Sequence, residues 1–325
     1  MSAEVKRYEV SEDEDGMRLD RWFKVHFPQV TFAYLNKLTR TGQVRVGAGR
    51  VKTSSRLAKG QDIRVPPLDF DRRPADQPKE DVAPLTPKER QLFNSMVIHE
   101  DKDLYVLNKP SGFAVQGGTK THTHLDGLLM GLGVELGERP LLVHRLDRDT
   151  SGVIVVAKRR AVAAALGKMF ATRVVKKTYW AVVMGVPSPA QGRIDVALIK
   201  ARSEDGDRMR ASKAGEEDDE QQAVTQYAVL GKFDGFSWLS LKPQTGRQHQ
   251  LRAHTAHIGT PILGDNKYGG DVGVPEGIAN RLHLHARRIV FPHPREGVVD
   301  VTARLPQHMI DTFATLGFDA GRFDG

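Results

Sequence analysis

The 325-residue sequence contains no cysteine, which excludes disulfide bonds and thiolate metal sites and suits a reducing compartment. It also has no apolar run that approaches the roughly 18–20 residues of a membrane-spanning helix. Residues 1–10 lack the apolar core of a secretory signal, and the acidic segment after them is unlike an organelle transit peptide. These absences together predict a soluble, cytoplasmic protein.

Motifs for bound cofactors are missing as well. The glycines of 131–137 have the wrong spacing for a dinucleotide-binding loop, and residues 112–119 lack the lysine of a phosphate-binding loop. His249, His254 and His257 invite a zinc interpretation, but on a helix the last two share a face and His249 lies well off it. We therefore expect no nucleotide cofactor and no metal.

The sequence does contain an excess of positive charge, with 48 Lys and Arg against 40 Asp and Glu, a net charge of +8 and a pI of about 9.6. This balance indicates a polyanionic partner without identifying it. The length allows about two domains, on a prior of roughly 150 residues each. We predict an N-terminal extension (1–15), a small domain (16–66), a linker rich in proline and charge (67–90) and a large domain (91–325).

Two helices and a hairpin are predicted in the small domain. Apolar residues recur with helical spacing over 19–27, and a second helical stretch covers 31–41. A glycine-rich hairpin over 43–52 and a short strand over 62–65 follow. Basic side chains recur throughout the domain, and taken alone they indicate no more than a solvated face.

The large domain mixes strands and helices. We predict helices over 125–136 and 161–170, the second rich in alanine. The charged stretch 204–222 is interpreted as a solvent-exposed insertion. Strands are predicted over 104–107, 153–157, 176–183, 192–200, 223–232 and 236–242.

The most informative stretch is 141–158, where an apolar run stops at a polar cluster and a β-prone run follows. Arg145 and Asp147 are two residues apart, so an extended backbone points both side chains the same way. A carboxylate beside guanidinium groups stays ionised and, once positioned, can act as a nucleophile or a base. The alternative is a structural Arg–Asp pair that holds a turn. Asp149 is interpreted as a turn or cap residue, because Asp side chains readily bond nearby backbone N–H groups.

A second polar segment, 243–254, follows the last predicted strand. Thr245 is predicted to cap a helix that runs to about Ile258, after a sharp turn at Gly246. Arg247 on this turn is placed to bind an anion, helped by the positive end of the helix. Beyond it, 264–269 and 281–286 are interpreted as a structural turn and a core strand.

Four segments together resemble the RluA/RluC-type pseudouridine synthases, with the 144–152 loop most similar to the RluC type. The resemblance implies that Asp147 is the essential catalytic carboxylate, that Arg247 forms an ion pair with it, and that Tyr179 holds the flipped base. Without it, Tyr179 would be interpreted as a core aromatic. His144 and Arg145 are implied RNA contacts, with Arg145 filling the space that the target base leaves. The segments are Asn108–Gly112, His144–Gly152, Lys177–Ala181 and Thr245–Arg247.

The order of helices and hairpin over 16–65 resembles the small RNA-binding domain named for the fourth small-subunit ribosomal protein. Arg18-Leu19-Asp20 and the segment 42–46, Gly-Gln-Val-Arg-Val, fit its pattern. The resemblance implies that this domain binds RNA. The implied contacts are Arg18, Arg21, Lys37, Arg40 and Arg45.

The resemblances imply an α+β fold: a mixed, mainly antiparallel central sheet with flanking helices, the pseudouridine synthase fold, plus a small N-terminal α/β domain. The expected function is isomerisation of specific uridines, foremost in large-subunit (23S) ribosomal RNA, by a monomer without a cofactor. A synthase acting on transfer RNA, a non-catalytic ribosome-assembly protein and a metal-dependent RNA hydrolase are the alternatives. Whether Asp147 attacks the sugar or removes a ribose proton stays open.

Overall fold

The computed structural model describes residues 5–68, 83–117, 123–203, 206–212, 220–270 and 273–323. It divides into two compact units, Met1–Asp81 and Val82–Gly325. Most of the predicted linker (69–82) and the middle of the predicted charged insertion (213–219) lie outside the described residues. No described helix is both long and apolar enough to cross a bilayer.

The small unit is a four-stranded antiparallel sheet that packs against two helices. Its elements are β1 (Lys6–Glu9), α1 (Leu19–His26), α2 (Phe32–Arg40), β2 (Arg45–Val46), β3 (Gly49–Arg50) and β4 (Asp62–Val65), and the strand order is β1-β4-β2-β3. Each helix turns its apolar face inward, so that Trp22, Phe23 and Leu35 meet Ile63 of β4 in one core. Thr31 caps α2 by accepting a hydrogen bond from the Tyr34 N–H at 3.2 Å.

Strand β1 corrects the predicted N-terminal boundary. Lys6–Glu9 pairs along its whole length with β4, and Val10 is buried in the same core. This part of the predicted extension 1–15 therefore belongs to the small unit. The strand escaped prediction because Tyr8 is its one residue with an inward apolar side chain.

The larger unit begins within the predicted linker. Helix α3 (Pro87–Met96) starts at a capping box, in which Thr86 and Glu89 exchange hydrogen bonds, with Pro87 in the first turn. Residues 87–90 are thus helical, and the predicted boundary at 91 is wrong by about one turn. The remaining helices are α4 (Leu125–Leu136), α5 (Arg160–Ala171), α6 (Gln250–His257) and α7 (Gln307–Thr315).

A ten-stranded sheet forms the centre of the larger unit. Its strands are β5 (Val97–Glu100), β6 (Leu104–Lys109), β7 (Leu141–Leu142), β8 (Ser151–Ala157), β9 (Lys176–Met184), β10 (Gln191–Asp195), β13 (Val224–Phe233), β14 (Phe236–Pro243), β15 (Leu284–Pro292) and β16 (Val298–Thr302). Its main path is β10-β13-β14-β9-β15-β8-β6-β5, with β16 added to β15 and β7 to β8. All pairings are antiparallel except that of β8 with β15, which confirms the predicted α+β, mainly antiparallel fold. A separate ribbon is formed by β11 (Leu198–Ser203) and β12 (Gly206–Ala211).

Strand β8 runs through the core, and all seven of its residues are buried. A strand covered on both faces needs a continuous apolar run, as Val153–Ala157 provides. Ile154 and Val156 face a cluster that includes residues of α4, whereas Val153 and Val155 face a cluster that includes residues of α5. The sheet is therefore covered on both sides at the point where the 143–150 loop leads into β8.

Gly152 lets β8 and β15 approach each other closely. Its φ is +108°, and a Cβ at this position would lie 2.2 Å from the Ala286 carbonyl oxygen. Only glycine fits both the backbone conformation and this contact. The glycine thus determines how the loop before it enters the sheet.

Candidate active site

The loop 143–150 holds its polar residues between two anchors. Leu146 and Thr150 are 6% and 3% exposed, and both point into the protein. Between them the Asp147 side chain keeps 24% of its surface exposed, and Arg145 is exposed. The loop therefore presents a carboxylate and a guanidinium to the same opening, as the two-residue spacing predicts.

This opening is a cleft of about 1170 Å³ in the larger unit. Five predicted site residues line it: His144, Arg145, Asp147, Tyr179 and Arg247. Eight Lys and Arg side chains line it against two carboxylates, which makes it suitable for an anionic ligand. The basic residues are Arg145, Arg173, Lys176, Lys177, Lys242, Arg247, Arg252 and Arg288.

The cation buried beside Asp147 is Arg252, in the first turn of α6. Its Nη1 lies 3.9 Å from Asp147 Oδ2, and its side chain is 4% exposed. Asp265 holds the same guanidinium through two hydrogen bonds of 2.7 Å from Nε and Nη2. This bidentate pair fixes the orientation of Arg252, which can then stabilise negative charge on Asp147.

The predicted ion pair between Arg247 and Asp147 is wrong, because Arg252 is the cation that lies beside Asp147. Arg247 lines the cleft, but its Nε donates a hydrogen bond of 3.0 Å to the Gln222 carbonyl. The predicted helix start is also wrong, because the Thr245 hydroxyl binds the Val224 N–H and the Gln250 side chain instead of capping a helix. Helix α6 begins five residues later, at Gln250, so that Arg252 rather than Arg247 lies in its first turn.

Tyr179 lies on β9 between β14 and β15, with Leu241 and Ala286 as its strand neighbours. Burial raises the pKa of its phenol far above the ordinary value, and the negative charge of Asp147 adds to the effect. The hydroxyl therefore stays protonated at neutral pH. The ring forms part of the cleft wall, where it can stack on a planar ligand.

His144 supports the loop from within. Its Nε2 accepts a hydrogen bond from the Val155 N–H at 2.9 Å, and its ring stacks on Phe170 at 4.5 Å. Burial lowers its pKa to about 3, and the nearby Lys177 adds to this. The ring is therefore neutral, with one nitrogen committed to the fold. A contact of His144 with RNA stays a prediction.

Lys109 is a site residue that the sequence interpretation missed. Its side chain is fully buried, and Nζ donates to the carbonyl oxygens of Pro110, Phe113 and Arg148 at 2.8–2.9 Å. Burial lowers its pKa to about 7, against the opposing effect of two carboxylates of the loop. A lysine at the end of an apolar strand was the available signal, since a buried ammonium group must find acceptors.

Further bonds join the 108–112 segment to the loop. The Gly112 N–H donates to the Arg148 carbonyl at 3.0 Å, and Arg148 Nε donates back to the Gly112 carbonyl at 3.1 Å. The Ser111 hydroxyl donates to the Asp149 carbonyl at 2.9 Å. Two separate motifs of the sequence are thus parts of one rigid structure around Asp147.

The predicted RNA contacts of the small unit lie on its surface. Arg21, Lys37, Arg40 and Arg45 are exposed, whereas Arg18 is half-exposed and held by Asp20 through two hydrogen bonds. The structure adds a row of four arginines that are successive cross-strand neighbours on the sheet face opposite the core. The row is Arg50 of β3, Arg45 of β2, Arg64 of β4 and Arg7 of β1.

One group of possible metal ligands occurs among the described residues, formed by Asp101, Asp103 and His293. Arg159 and Arg295 both form ion pairs with Asp103. Two guanidinium charges on this carboxylate oppose the binding of a cation. The group therefore resembles a structural ion-pair cluster more than a metal centre.

Comparison with known proteins identifies the family. A profile described as RNA pseudouridylate synthase matches residues 103–257, which include the Asp147 loop and α6. Ribosomal large subunit pseudouridine synthase C of Haemophilus influenzae is 34% identical over 301 residues, which are 91% of this chain and 90% of that protein. The protein of the same name from Escherichia coli K12 is 34% identical over 303 residues, 91% of each chain. The chain belongs to the RNA pseudouridylate synthase family, and within it to the RluA type.

Solved structures agree with this assignment. Human RNA Pseudouridylate Synthase Domain Containing 4 has a TM-score of 0.60 and 30% identity, and the match covers 71% of this chain and 97% of that one. Human RNA Pseudouridylate Synthase Domain Containing 1 has a TM-score of 0.55 and 26% identity, and the match covers 66% and 85% of the two chains. The larger unit therefore has the fold of this family.

Proposed function

We propose that this protein converts uridine to pseudouridine in large-subunit ribosomal RNA, as a cytoplasmic monomer. The observation that carries the proposal is the placement of Asp147 in a basic cleft, beside Arg252 and within the electrostatic reach of Tyr179. The relatives named as ribosomal large subunit pseudouridine synthase C support the substrate, since the similarity spans nine-tenths of both chains.

The reaction breaks the bond between the ribose C1′ and the uracil N1, turns the base, and joins C1′ to C5. The proton that C5 loses is balanced by the proton that N1 gains, so no oxidant and no group donor is consumed. Asp147 acts on the ribose, and Arg252 stabilises the negative charge of Asp147. Tyr179 supports the displaced base, which must leave its stack at a cost of a few kcal/mol. Arg145, exposed on the same loop, fills the gap in the RNA.

The small unit contributes affinity for RNA in this proposal. Like charges on directly opposed residues destabilise a sheet. Asp62 pairs with Arg7 at 3.3 Å and offsets part of this repulsion, and a bound anion would offset the rest. Adjacent strands lie about 4.8 Å apart, so four neighbouring arginines extend over roughly 14 Å, which suits consecutive phosphates. The row supports the predicted RNA-binding role of this unit and extends it from Arg45 to Arg7, Arg50 and Arg64.

The test uses unmodified 23S ribosomal RNA made by transcription, incubated with purified protein and mapped by carbodiimide-dependent primer stops. Wild-type protein should create stops at specific uridines. Asp147→Asn should abolish them, with turnover lower by roughly 10⁴-fold or more because the acting carboxylate is gone. Asp234→Asn, the same chemical change in an exposed turn outside the cleft, should behave as wild type.

Stops that persist in Asp147→Asn would contradict the assigned role of this residue. Stops in transfer RNA transcripts and none in 23S RNA would overturn the substrate and leave the chemistry standing. The absence of pseudouridine from both RNAs, with binding retained, would favour a non-catalytic assembly protein.

A further inference from the structure

His249 has an unusual backbone conformation at the edge of the cleft. It precedes α6 with φ +51° and ψ +18°, in the left-handed region that few non-glycine residues adopt. This conformation places the side chain, which is 9% exposed, between Asp147 and Tyr268. Such strain persists where the surroundings impose it, and it concentrates at functional sites.

Two contacts determine what His249 can do. Its Nδ1 lies 3.0 Å from the Tyr268 hydroxyl, and its Nε2 lies 3.9 Å from Asp147 Oδ2. The second distance is longer than a hydrogen bond, and a small shift of the carboxylate would close it. His249 thus lies between a fixed tyrosine and the carboxylate of the proposed reaction.

The hydrogen bonds of Tyr268 select the tautomer of His249. The Met209 N–H donates to the Tyr268 hydroxyl oxygen at 2.8 Å, so this contact takes an acceptor position of the tyrosine. The tyrosine proton then needs an acceptor, and among the described residues His249 Nδ1 is the neighbour that can accept it. A neutral imidazole that accepts at Nδ1 carries its proton at Nε2 and points it at Asp147.

The charge state of His249 agrees with this tautomer. Burial lowers the pKa of His249, and the positive charges of Arg252 and Lys267 lower it further, against the opposing carboxylates Asp147 and Asp265. Burial also raises the pKa of Tyr268. Both rings are therefore neutral at pH 7, as the tautomer assignment requires.

We propose that His249 is a positioning residue, which presents an Nε2–H to Asp147 in the tautomer that Tyr268 selects. Arg252 Nη1 and His249 Nε2 both face Oδ2 of Asp147, each at 3.9 Å. Oδ2 is therefore the held oxygen, and Oδ1 is the oxygen that reacts with the nucleotide. The proposal deepens the proposed function and rests on it.

The ribbon β11–β12 becomes part of the site through this chain of contacts. Met209 of β12 is buried against Ala253 of α6, and its N–H holds the Tyr268 hydroxyl. Arg252 also lies over the Tyr268 ring, 5.2 Å from its centroid. The segment 264–269, which the sequence predicted to be a structural turn, thus supports Arg252 and His249, the two partners of Asp147.

The first test is a spectroscopic measurement of the full-length protein labelled with ¹⁵N-histidine. At pH 7.5, His249 should show a protonated Nε2 and an unprotonated Nδ1, assigned by the loss of its signals in His249→Gln. In Tyr268→Phe the donor to Nδ1 is gone, and the signals should move toward a tautomeric mixture. Tyr227→Phe removes a buried hydroxyl that donates to the Pro189 carbonyl outside the cleft, and it should leave them unchanged.

The second test is kinetic. Tyr268→Phe should lower kcat by roughly 10- to 100-fold, the scale of one charge-assisted hydrogen bond, with KM for RNA nearly unchanged. His249→Leu should lose at least as much, whereas His249→Gln keeps an N–H donor near the position of Nε2 and should recover most of kcat. Tyr227→Phe again serves as the control.

A His249 signal with the proton on Nδ1, or with both nitrogens protonated, would overturn the proposal even if the protein is an active synthase. Unchanged kcat in Tyr268→Phe would overturn it as well. Conversely, the expected tautomer in a protein that forms no pseudouridine would confirm the arrangement around Asp147 and refute the proposed function.

Discussion

Arg252 and Asp265 form a buried ion pair whose two members depend on each other. Their side chains are 4% and 0% exposed, and Asp265 also accepts hydrogen bonds from the Lys267 and Tyr268 N–H groups. A buried charge without its partner is strongly destabilising, whereas the intact pair is tolerated. Arg252 thus stabilises the fold through Asp265 and acts in the proposed reaction through Asp147.

Substitution of Arg252 should therefore reveal its role in the fold. Arg252→Met should lower the free energy of unfolding by about 3–5 kcal/mol, because Asp265 is left buried and unpaired. Arg247→Met, at an exposed position five residues away, should change it by less than about 0.5 kcal/mol and weaken RNA binding. Urea unfolding of both variants measures this contrast, and equal losses would contradict the assignment of Arg252.

Buried histidines make the larger unit sensitive to acid. Burial lowers the pKa of His283 to about 4 and that of His285 to about 3, whereas an unfolded histidine titrates near 6.5. The unfolded chain therefore takes up these protons first as the pH falls. The contribution of the two histidines to the free energy of unfolding is fully present above about pH 6.5 and declines toward pH 3–4. At pH 5 the loss is about 2 kcal/mol per histidine.

Urea unfolding at pH 7 and pH 5 measures this decline. His285→Gln should remove about 2 kcal/mol of the difference between the two pH values, since one buried titrating group is gone. His257→Gln, at an exposed position of α6, is the matched control. A full decline in His285→Gln would show that other groups cause the acid sensitivity.

Among the elements, the junction of β8 with β15 tolerates little change. An alanine at 152 must adopt φ +108° and would meet the Ala286 carbonyl oxygen at 2.2 Å. Gly137→Ala is a suitable control, because Gly137 also has a positive φ (+74°) but open space around its Cβ position.

Gly152→Ala should lower the free energy of unfolding by about 3 kcal/mol or more, since strain and a backbone clash act together. Gly137→Ala should lower it by about 1 kcal/mol, the cost of the backbone conformation alone. Thermal or urea unfolding measures both. Similar losses in the two variants would mean that the strands separate easily at residue 152.

Elements with local signals were predicted well. Helix α4 occupies 125–136 as predicted, because a histidine cap, buried leucines and a terminal glycine all lie within it or next to it. Helix α6 was misplaced because the Thr245 hydroxyl is used by Val224, 21 residues away, and no local pattern reports such a bond. The roles of Arg252 and His249 escaped for the same reason, since both residues approach Asp147 only in the folded protein.

The whole molecule consists of two units, each with its own core. The proposed reaction lies in the larger unit, and the arginine row lies in the smaller one. In the proposed function, the smaller unit adds affinity for a large RNA, while the larger unit holds the target uridine and carries out the chemistry. Changes in the row should alter binding and leave the turnover of bound RNA intact.

The double variant Arg45→Gln/Arg64→Gln tests this separation. Its affinity for 23S RNA should fall, and the slope of log K against log salt should decrease by about 1 for each lost phosphate contact. The rate under saturating RNA should stay unchanged. Arg193→Gln/Arg304→Gln removes two exposed arginines of the larger unit outside the cleft and is the control. An unchanged slope would remove the row from the RNA interface.

The row has one more consequence, for the small unit by itself. Repulsion among the four arginines on β3, β2, β4 and β1 should destabilise this sheet, and dissolved counterions should weaken the repulsion. The unit should therefore melt at a lower temperature in dilute buffer than at moderate ionic strength, the reverse of a fold supported by surface ion pairs. The phosphates of bound RNA would then neutralise the arginine row, and the unit would be most rigid when it holds its substrate.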